Sequence, residues 1–422
     1  MATVRRSIPA VHPISTGPSV QARQYRPVST ARRYGPPVRP GVPWPSRMLL
    51  SAVFEFRLGF GPVAEMIGKS FGSDNHAGVH PAVLAAITEA NSGDAIAYGG
   101  DPRTEQALAR LCAAAGARHA YLVFTGTAAN ILGLSLMLRP FEAVICADTS
   151  HVNVDECGAA ERLLGCKLLP VATPDGKLTP ELVASKLTGI DDEHRVQPRV
   201  IQVAQVTELG TCYSLAELRD LRAFGREHGL LTYLDGARIG NAAAYLGCSL
   251  ADLAACADVL SFGGTKNGAL GVEAVLVMSD ELAYGAQYHR KQLMQLASKM
   301  RFLAAQVDAL LDGDLWLTTA RHANAMAVRL AAALDGLAGV RLAYPVESNG
   351  VFTELGQDHA ARLQQDWSFE VWSQSADGSC IARWMAAFDT SEADVDALAA
   401  FIISAAGGAA ESGNVSRETE SV

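Results

Sequence analysis

What the sequence lacks narrows the field first. Eight cysteines (112, 146, 157, 166, 212, 248, 256 and 380) are spread over 422 residues, with no C-x-x-C pair and no Cys/His cluster at metal-ligand spacing. Scattered cysteines in apolar runs are expected to be buried, reduced thiols, which argues against a disulfide scaffold or zinc module and points to a cytoplasmic protein. No apolar stretch reaches the roughly 18–20 uncharged residues of a membrane span. The run around Met48–Phe60 is interrupted by Glu55 and Arg57. No G-x-G-x-x-G follows an early strand, which disfavours a nicotinamide-binding Rossmann domain.

Acidic residues are missing from the first 47 positions, which hold eight arginines and nine of the chain's eighteen prolines. Such a stretch buries too little apolar surface to offset its chain entropy. An Arg-rich, acid-poor composition is also that of a transit peptide. The Pro36-Pro37 and Trp44-Pro45 steps, however, break the amphipathic helix that reading needs. A disordered basic extension over 1–65 is expected, with Met66 a natural start for the folded body. Residues 1–69 carry ten Lys/Arg and two Asp/Glu, a charge of +8; the remaining 25 basic and 42 acidic residues carry −17. So acidic a body argues against nucleic acid as its partner. Its length and alanine-rich, 49% hydrophobic composition suit a helix-rich α/β enzyme with one large and one small domain.

What is present is a series of strand-to-turn junctions. Ser261-Phe-Gly-Gly-Thr-Lys266-Asn-Gly268 follows the apolar run 257–262 and surrounds one lysine with glycines. Alone, this fits a solvated loop lysine as well as an amine that forms a Schiff base with a carbonyl cofactor. Upstream, the apolar run 230–234 ends in Asp235, then Gly236 and Arg238. A strand-end carboxylate of an open α/β sheet sits where ligands bind, and one that keeps a pyridine nitrogen protonated makes that ring an electron sink. Earlier still, Thr125-Gly126-Thr127-Ala-Ala-Asn130 reads as strand end, small-residue turn and helix start, where backbone N–H groups and the Thr127 hydroxyl can hold a phosphate. The alternation of strands and helices predicts a mostly parallel, helix-covered sheet with ligand at the strand ends.

Together with Ser150-His151-Val-Asn-Val-Asp-Glu156, these motifs resemble, in order, those of the pyridoxal phosphate-dependent L-threonine aldolases, in particular the low-specificity and phenylserine branch. The resemblance runs from about Phe71 to Phe401. It implies the aspartate aminotransferase-like fold type I, with a large domain over 66–312 built on a seven-stranded sheet, a small C-terminal α/β domain over 313–408, and a disordered tail over 409–422. It implies pyridoxal 5'-phosphate bound by Lys266, with Asp235 at the ring nitrogen, His151 stacked on the ring, and Gly126 and Thr127 on the phosphate. Arg238 is expected near the cofactor oxygens or the substrate carboxylate. Arg383 and Ser73 are expected to hold that carboxylate. Tyr98 and Arg301 are expected to reach a neighbouring subunit's site in a homodimer or homotetramer. The substrate is then a β-hydroxy-α-amino acid cleaved to glycine and an aldehyde. Another reaction of the same cofactor (β-elimination, racemisation or transamination) would use the same parts, and a non-catalytic scaffold is the remaining alternative.

Two positions stay open at this point. Many threonine aldolases have a histidine near the substrate hydroxyl where this chain has Glu208, so the general base is either Glu208 or a water held by His151. His76, in the turn Gly72–Gly78, has no counterpart to take a role from. Helices are expected over Pro81–Glu89, Thr104–Ala115, Leu282–Leu311, Arg321–Leu337 and Ala393–Ala406.

Overall fold

A computed structural model describes residues 69–412, with side chains to residue 405. The basic extension expected over 1–65, and residues 413–422 of the expected tail, lie outside the described residues. Seven strands form the larger sheet: β1 (His119–Val123), β2 (Glu142–Ala147), β3 (Lys167–Val171), β4 (Gln197–Ala204), β5 (Leu231–Asp235), β6 (Val259–Gly263) and β7 (Glu273–Val277). Their order is β1-β7-β6-β5-β4-β2-β3. Only β7 is reversed: it pairs antiparallel with both β1 and β6, while the other ladders are parallel. The mostly parallel sheet expected from the strand–helix alternation is therefore present, with the seven strands that the resemblance implies.

Both faces of this sheet are covered, which is why its strands are almost uniformly apolar rather than alternating. Ile145, Leu234, Leu260 and Leu276 point into one core. Their chain neighbours Val144, Tyr233, Val259 and Val275 point into the other. A smaller antiparallel sheet, ordered β10-β11-β9-β8, is made of β8 (Arg341–Leu342), β9 (Gly350–Gly356), β10 (Glu370–Gln374) and β11 (Ser379–Met385). Its core includes Trp384, Val351 and Leu398, and also Phe71 from the other end of the described chain. Phe71 is tied there by its backbone: its N–H donates to Ser368 O (2.9 Å), and its carbonyl accepts from Met385 N (2.7 Å). That tether delivers the next residues, Ser73 to Asn75, to the edge of the larger sheet.

Three helices depart from the expected spans. The helical pattern over 282–311 is broken into Ala286–Gln292 and Arg301–Leu311. Between them Met294 adopts φ +62°, and Gln295 Oε1 accepts the N–H of Phe124 (3.0 Å). Apolar spacing continues through the break, so periodicity could not reveal it. The helix expected from Arg321 begins at Leu315 and ends at Leu334. It serves two cores, with Trp316 under the larger sheet and Met326, Leu330 and Leu334 under the smaller. The last helix runs Glu392–Ser412, past the point where a polar tail was expected.

Candidate active site

Because six strands share one direction, their carboxyl ends and following turns lie along one edge. Each motif residue arrives there from a different turn: Gly126 and Thr127 after β1, His151 after β2, Glu208 after β4, Arg238 after β5 and Lys266 after β6. Asp235 is the last residue of β5 itself. The turns after β5 and β6 touch so closely that a Cβ on Gly263 would lie 2.3 Å from Ala237 O. Gly268, at φ +96°, closes the lysine turn. Gly126, Thr127, His151, Glu208, Asp235, Arg238 and Lys266 line a cavity of about 290 Å³. A second cavity of about 500 Å³ shares His151, Glu208, Arg238 and Lys266, and adds Ser73 and Arg383.

The floor of the site is a buried hydrogen-bond network. Asn130 Nδ2 donates to Asp235 Oδ2 (2.8 Å) and to Glu156 Oε1 (2.6 Å), while Asn130 Oδ1 accepts from the Tyr233 hydroxyl (2.8 Å). Carboxylates accept and a phenol donates, so this environment allows the amide only one orientation. Asp235 Oδ1 takes the N–H of Ala237 (3.0 Å). His151 Nδ1 lies 2.8 Å from Glu156 Oε1. That hydrogen bond, the largest influence, pushes the His151 pKa above its ordinary value against the opposing effect of burial. Glu208 accepts the backbone N–H of His151 (2.7 Å), and burial pushes its carboxyl up to about 7.

The cations are arranged around Lys266. The charge of Arg238, then burial, lowers the Lys266 amine pKa. Lowering favours the neutral amine that attacks a carbonyl carbon. Arg238 grips Asp74 with two hydrogen bonds, Nε to Oδ2 (2.7 Å) and Nη2 to Oδ1 (3.0 Å). Asn349 Nδ2 also donates to Asp74 Oδ2 (3.0 Å). Burial by itself raises the Asp74 pKa, but the charges of Arg238 and Lys266 and these hydrogen bonds outweigh it and hold the carboxyl at about 2. Arg238, expected near the cofactor oxygens or the substrate carboxylate, lines both cavities, with its Nε and Nη2 on Asp74.

Of the remaining expected residues, Ser73 caps the short turn Asp74–His76, its Oγ accepting from Asn75 N (3.2 Å), and lines the second cavity. Arg383 donates to Gly72 O (3.1 Å), pairs with Glu370, and lies 5.0 Å from the Trp372 ring. Tyr98 and Arg301 line neither cavity. The Tyr98 ring is exposed beside Lys291, and Arg301 Nη1 donates to Gly93 O (2.9 Å). His76 also lies outside both cavities, with Nδ1 2.7 Å from Ser70 Oγ. Sequence reasoning assigned no role to Asn130, Asp74 or Glu273. The last is a buried carboxylate pushed up to about 7 by burial, and it lines the first cavity from the start of reversed β7.

These residues fit the cofactor implied by the resemblance. Thr125 Oγ1 caps the ten-residue helix Gly126–Ser135 by accepting from Ala128 N (3.2 Å), and a Cβ at Gly126 would meet nothing within 4 Å. That is an open, positively polarised helix end suited to phosphate. A held carboxylate for a ring nitrogen and an amine of lowered pKa complete the donor set. Among the described residues, no group of three or more His, Cys, Asp or Glu is arranged to hold a metal ion.

The Asp74–Arg238 pair has a measurable consequence. Replacing Asp74 with Asn leaves a buried guanidinium without its counter-ion and should destabilise the fold by about 3–5 kcal/mol near neutral pH, read from denaturant midpoints. The Asp74 pKa is depressed on folding, so its contribution is present above about pH 4 and is lost as pH falls through about 2; the gap between wild type and Asp74→Asn should close over that range. Equal stability at neutral pH would contradict this role.

Comparison with known proteins agrees with the geometry. Residues 70–357 match the family model described as beta-eliminating lyase. The chain is 42% identical over 345 residues to the low specificity L-threonine aldolase of a Pseudomonas species, an alignment covering 79% of this chain and 97% of that relative. It is likewise 42% identical over 333 residues to the enzyme of the same name from Pseudomonas aeruginosa, covering 76% and 93%. A solved threonine aldolase from Leishmania major superposes with a TM-score of 0.76 at 32% identity, covering 80% of this chain and 99% of that one. The chain belongs to the beta-eliminating lyase family, within its low specificity L-threonine aldolase branch.

Proposed function

We propose that the protein is a pyridoxal 5'-phosphate-dependent aldehyde-lyase that cleaves the Cα–Cβ bond of β-hydroxy-α-amino acids to glycine and an aldehyde. The observation that carries this reading is the convergence of Lys266, Asp235, His151 and the Gly126–Thr127 helix end on one cavity. Lys266 would hold the cofactor covalently, Asp235 its ring nitrogen, His151 its ring face, and Gly126 with Thr127 its phosphate. When bound, that cofactor supplies the electron sink for the bond broken at Cα. Arg383 and Ser73 are assigned to the substrate carboxylate. Arg238, with two of its nitrogens held by Asp74, is assigned to the cofactor oxygens or the substrate carboxylate and lowers the Lys266 amine pKa by its charge.

Glu208 is the better candidate for the base that takes the substrate hydroxyl proton. A carboxyl with a pKa of about 7 is part-ionised at neutral pH, so it can accept a proton and give it back. The His151 imidazole is already engaged at Nδ1 by Glu156, and that hydrogen bond pushes its pKa upward.

We further propose that the molecule is a homodimer or homotetramer in the cytoplasm, with Tyr98 and Arg301 completing a neighbouring copy's site. Exposed Ile96, Tyr98, Tyr288 and Met294 support this reading, since large apolar groups left bare on one chain favour burial against another. The larger sheet would mark a cofactor-binding domain over 66–312 and the smaller sheet a second domain over 313–408. Among the described residues no helix is long and apolar enough to cross a membrane.

Two outcomes are expected. Incubation with L-threonine, L-allo-threonine or L-phenylserine should release glycine and the corresponding aldehyde in equal amounts. Ammonia and a keto acid instead would make the protein an eliminating lyase on the same site. Activity should rise with pH through about 7 as Glu208 loses its proton, and Glu208→Gln should lower kcat by about 10²-fold or more and remove that limb. An unchanged pH profile would return the role to a water at His151.

A further inference from the structure

Three cationic side chains meet at the second cavity: Lys266, Arg238 and Arg383. They are close enough that the charge of Arg238 lowers the pKa of both others. Such a cluster needs counter-ions, and the structure supplies two carboxylates of very different kinds. Asp74 is a permanent one, with its side chain 1% exposed and held by Arg238 and Asn349. Glu370 is not. Its side chain is 50% exposed, and Arg383 is its one recorded partner among the described residues.

The backbone keeps Glu370 in place to play this part. Glu370 opens β10 and is the direct ladder partner of Arg383 on β11, so the two side chains are neighbours in any conformation of the sheet. Trp372, two residues on along the same strand, flanks the guanidinium. Arg383 itself is mostly buried, and its Nε has no hydrogen-bond partner. A buried, under-satisfied guanidinium paired to a half-exposed carboxylate is a site at which one carboxylate can replace another, because the displaced one returns to water at little cost.

We propose that Glu370 is a built-in competitor for the substrate α-carboxylate: it occupies Arg383 when no amino acid is bound and swings into solvent when one enters. This rests on the assignment of Arg383 to the substrate carboxylate. Glu370 thereby sets how tightly amino acids bind and leaves the bond-breaking step alone. The competing ion pair is half-exposed, so its effect is small, about twofold to fivefold in binding. The opposite arrangement, in which Glu370 aims Arg383 at the substrate, predicts the opposite sign.

The test uses the full-length, cofactor-loaded protein and its Glu370→Gln variant. Glycine and glycinamide are titrated calorimetrically as ligands with and without a carboxylate, and KM and kcat are measured for L-threonine. The glycine dissociation constant and the threonine KM should both fall about twofold to fivefold, with kcat within about twofold of wild type and glycinamide binding unchanged. Weaker or unaltered glycine binding overturns the proposal, as does an equal gain for glycinamide. Arg383→Gln separates the premise from the inference. It should weaken glycine but not glycinamide, and if it spares glycine the carboxylate is held elsewhere and the assignment of Arg383 falls first.

Discussion

Asp235 and Glu156 are buried carboxylates that lean on a single amide, and much of the site follows from that contact. Left unpaired, either would cost several kcal/mol in so dry a place. The two N–H bonds of Asn130 serve one carboxylate each, and its oxygen is taken by Tyr233. The helix after β1, the turn after β2 and the end of β5 are thereby joined at one point. Asp235 at the proposed ring-nitrogen position and His151 on the proposed ring face are oriented by the same group, one directly and the other through Glu156. Neither can shift without disturbing the other.

Electrostatics divides the rest into two regions. Toward the floor, the Asp235 and Glu156 carboxyl groups are gathered around hydrogen-bond donors. Toward the smaller sheet, Arg238, Arg383 and Lys266 gather positive charge, offset by Asp74 and Glu370. Asp74 joins the two sheets chemically, since Arg238 follows β5 and Asn349 immediately precedes β9. A cationic end is what an amino acid's carboxylate needs, and a polar floor is what a protonated ring nitrogen needs. The polarity of the cavity thus matches the substrate class and cofactor of the family to which the chain belongs.

How much of this could be read in the sequence depended on whether the signal was local. Lys266, Asp235, Gly126 and His151 each stand at a strand-to-turn junction whose composition marks it, and a parallel sheet brings such junctions to one edge regardless of strand order. Asp74, Glu273 and Glu370 have no such mark. Asp74 was visible as part of a polar turn, but its partner is 164 residues away. Glu273 begins a strand, and only because β7 runs against its neighbours does that beginning lie on the edge where the other strands end. Glu370 takes its meaning from ladder register, which pattern alone does not give. The break at 293–300 was hidden for a similar reason, since apolar spacing suited a continuous helix while Gln295 was needed at Phe124.

The central claim is that five strand-end turns converge on a cofactor held by one particular amine. Borohydride reduction of the loaded protein, followed by digestion and mass mapping of the peptides, tests it most directly, because reduction fixes a carbonyl cofactor to the lysine that carries it. The account predicts a phosphopyridoxyl group on the peptide containing Lys266 and on no other. A label on a different lysine, or none on folded protein loaded with pyridoxal phosphate, would contradict it.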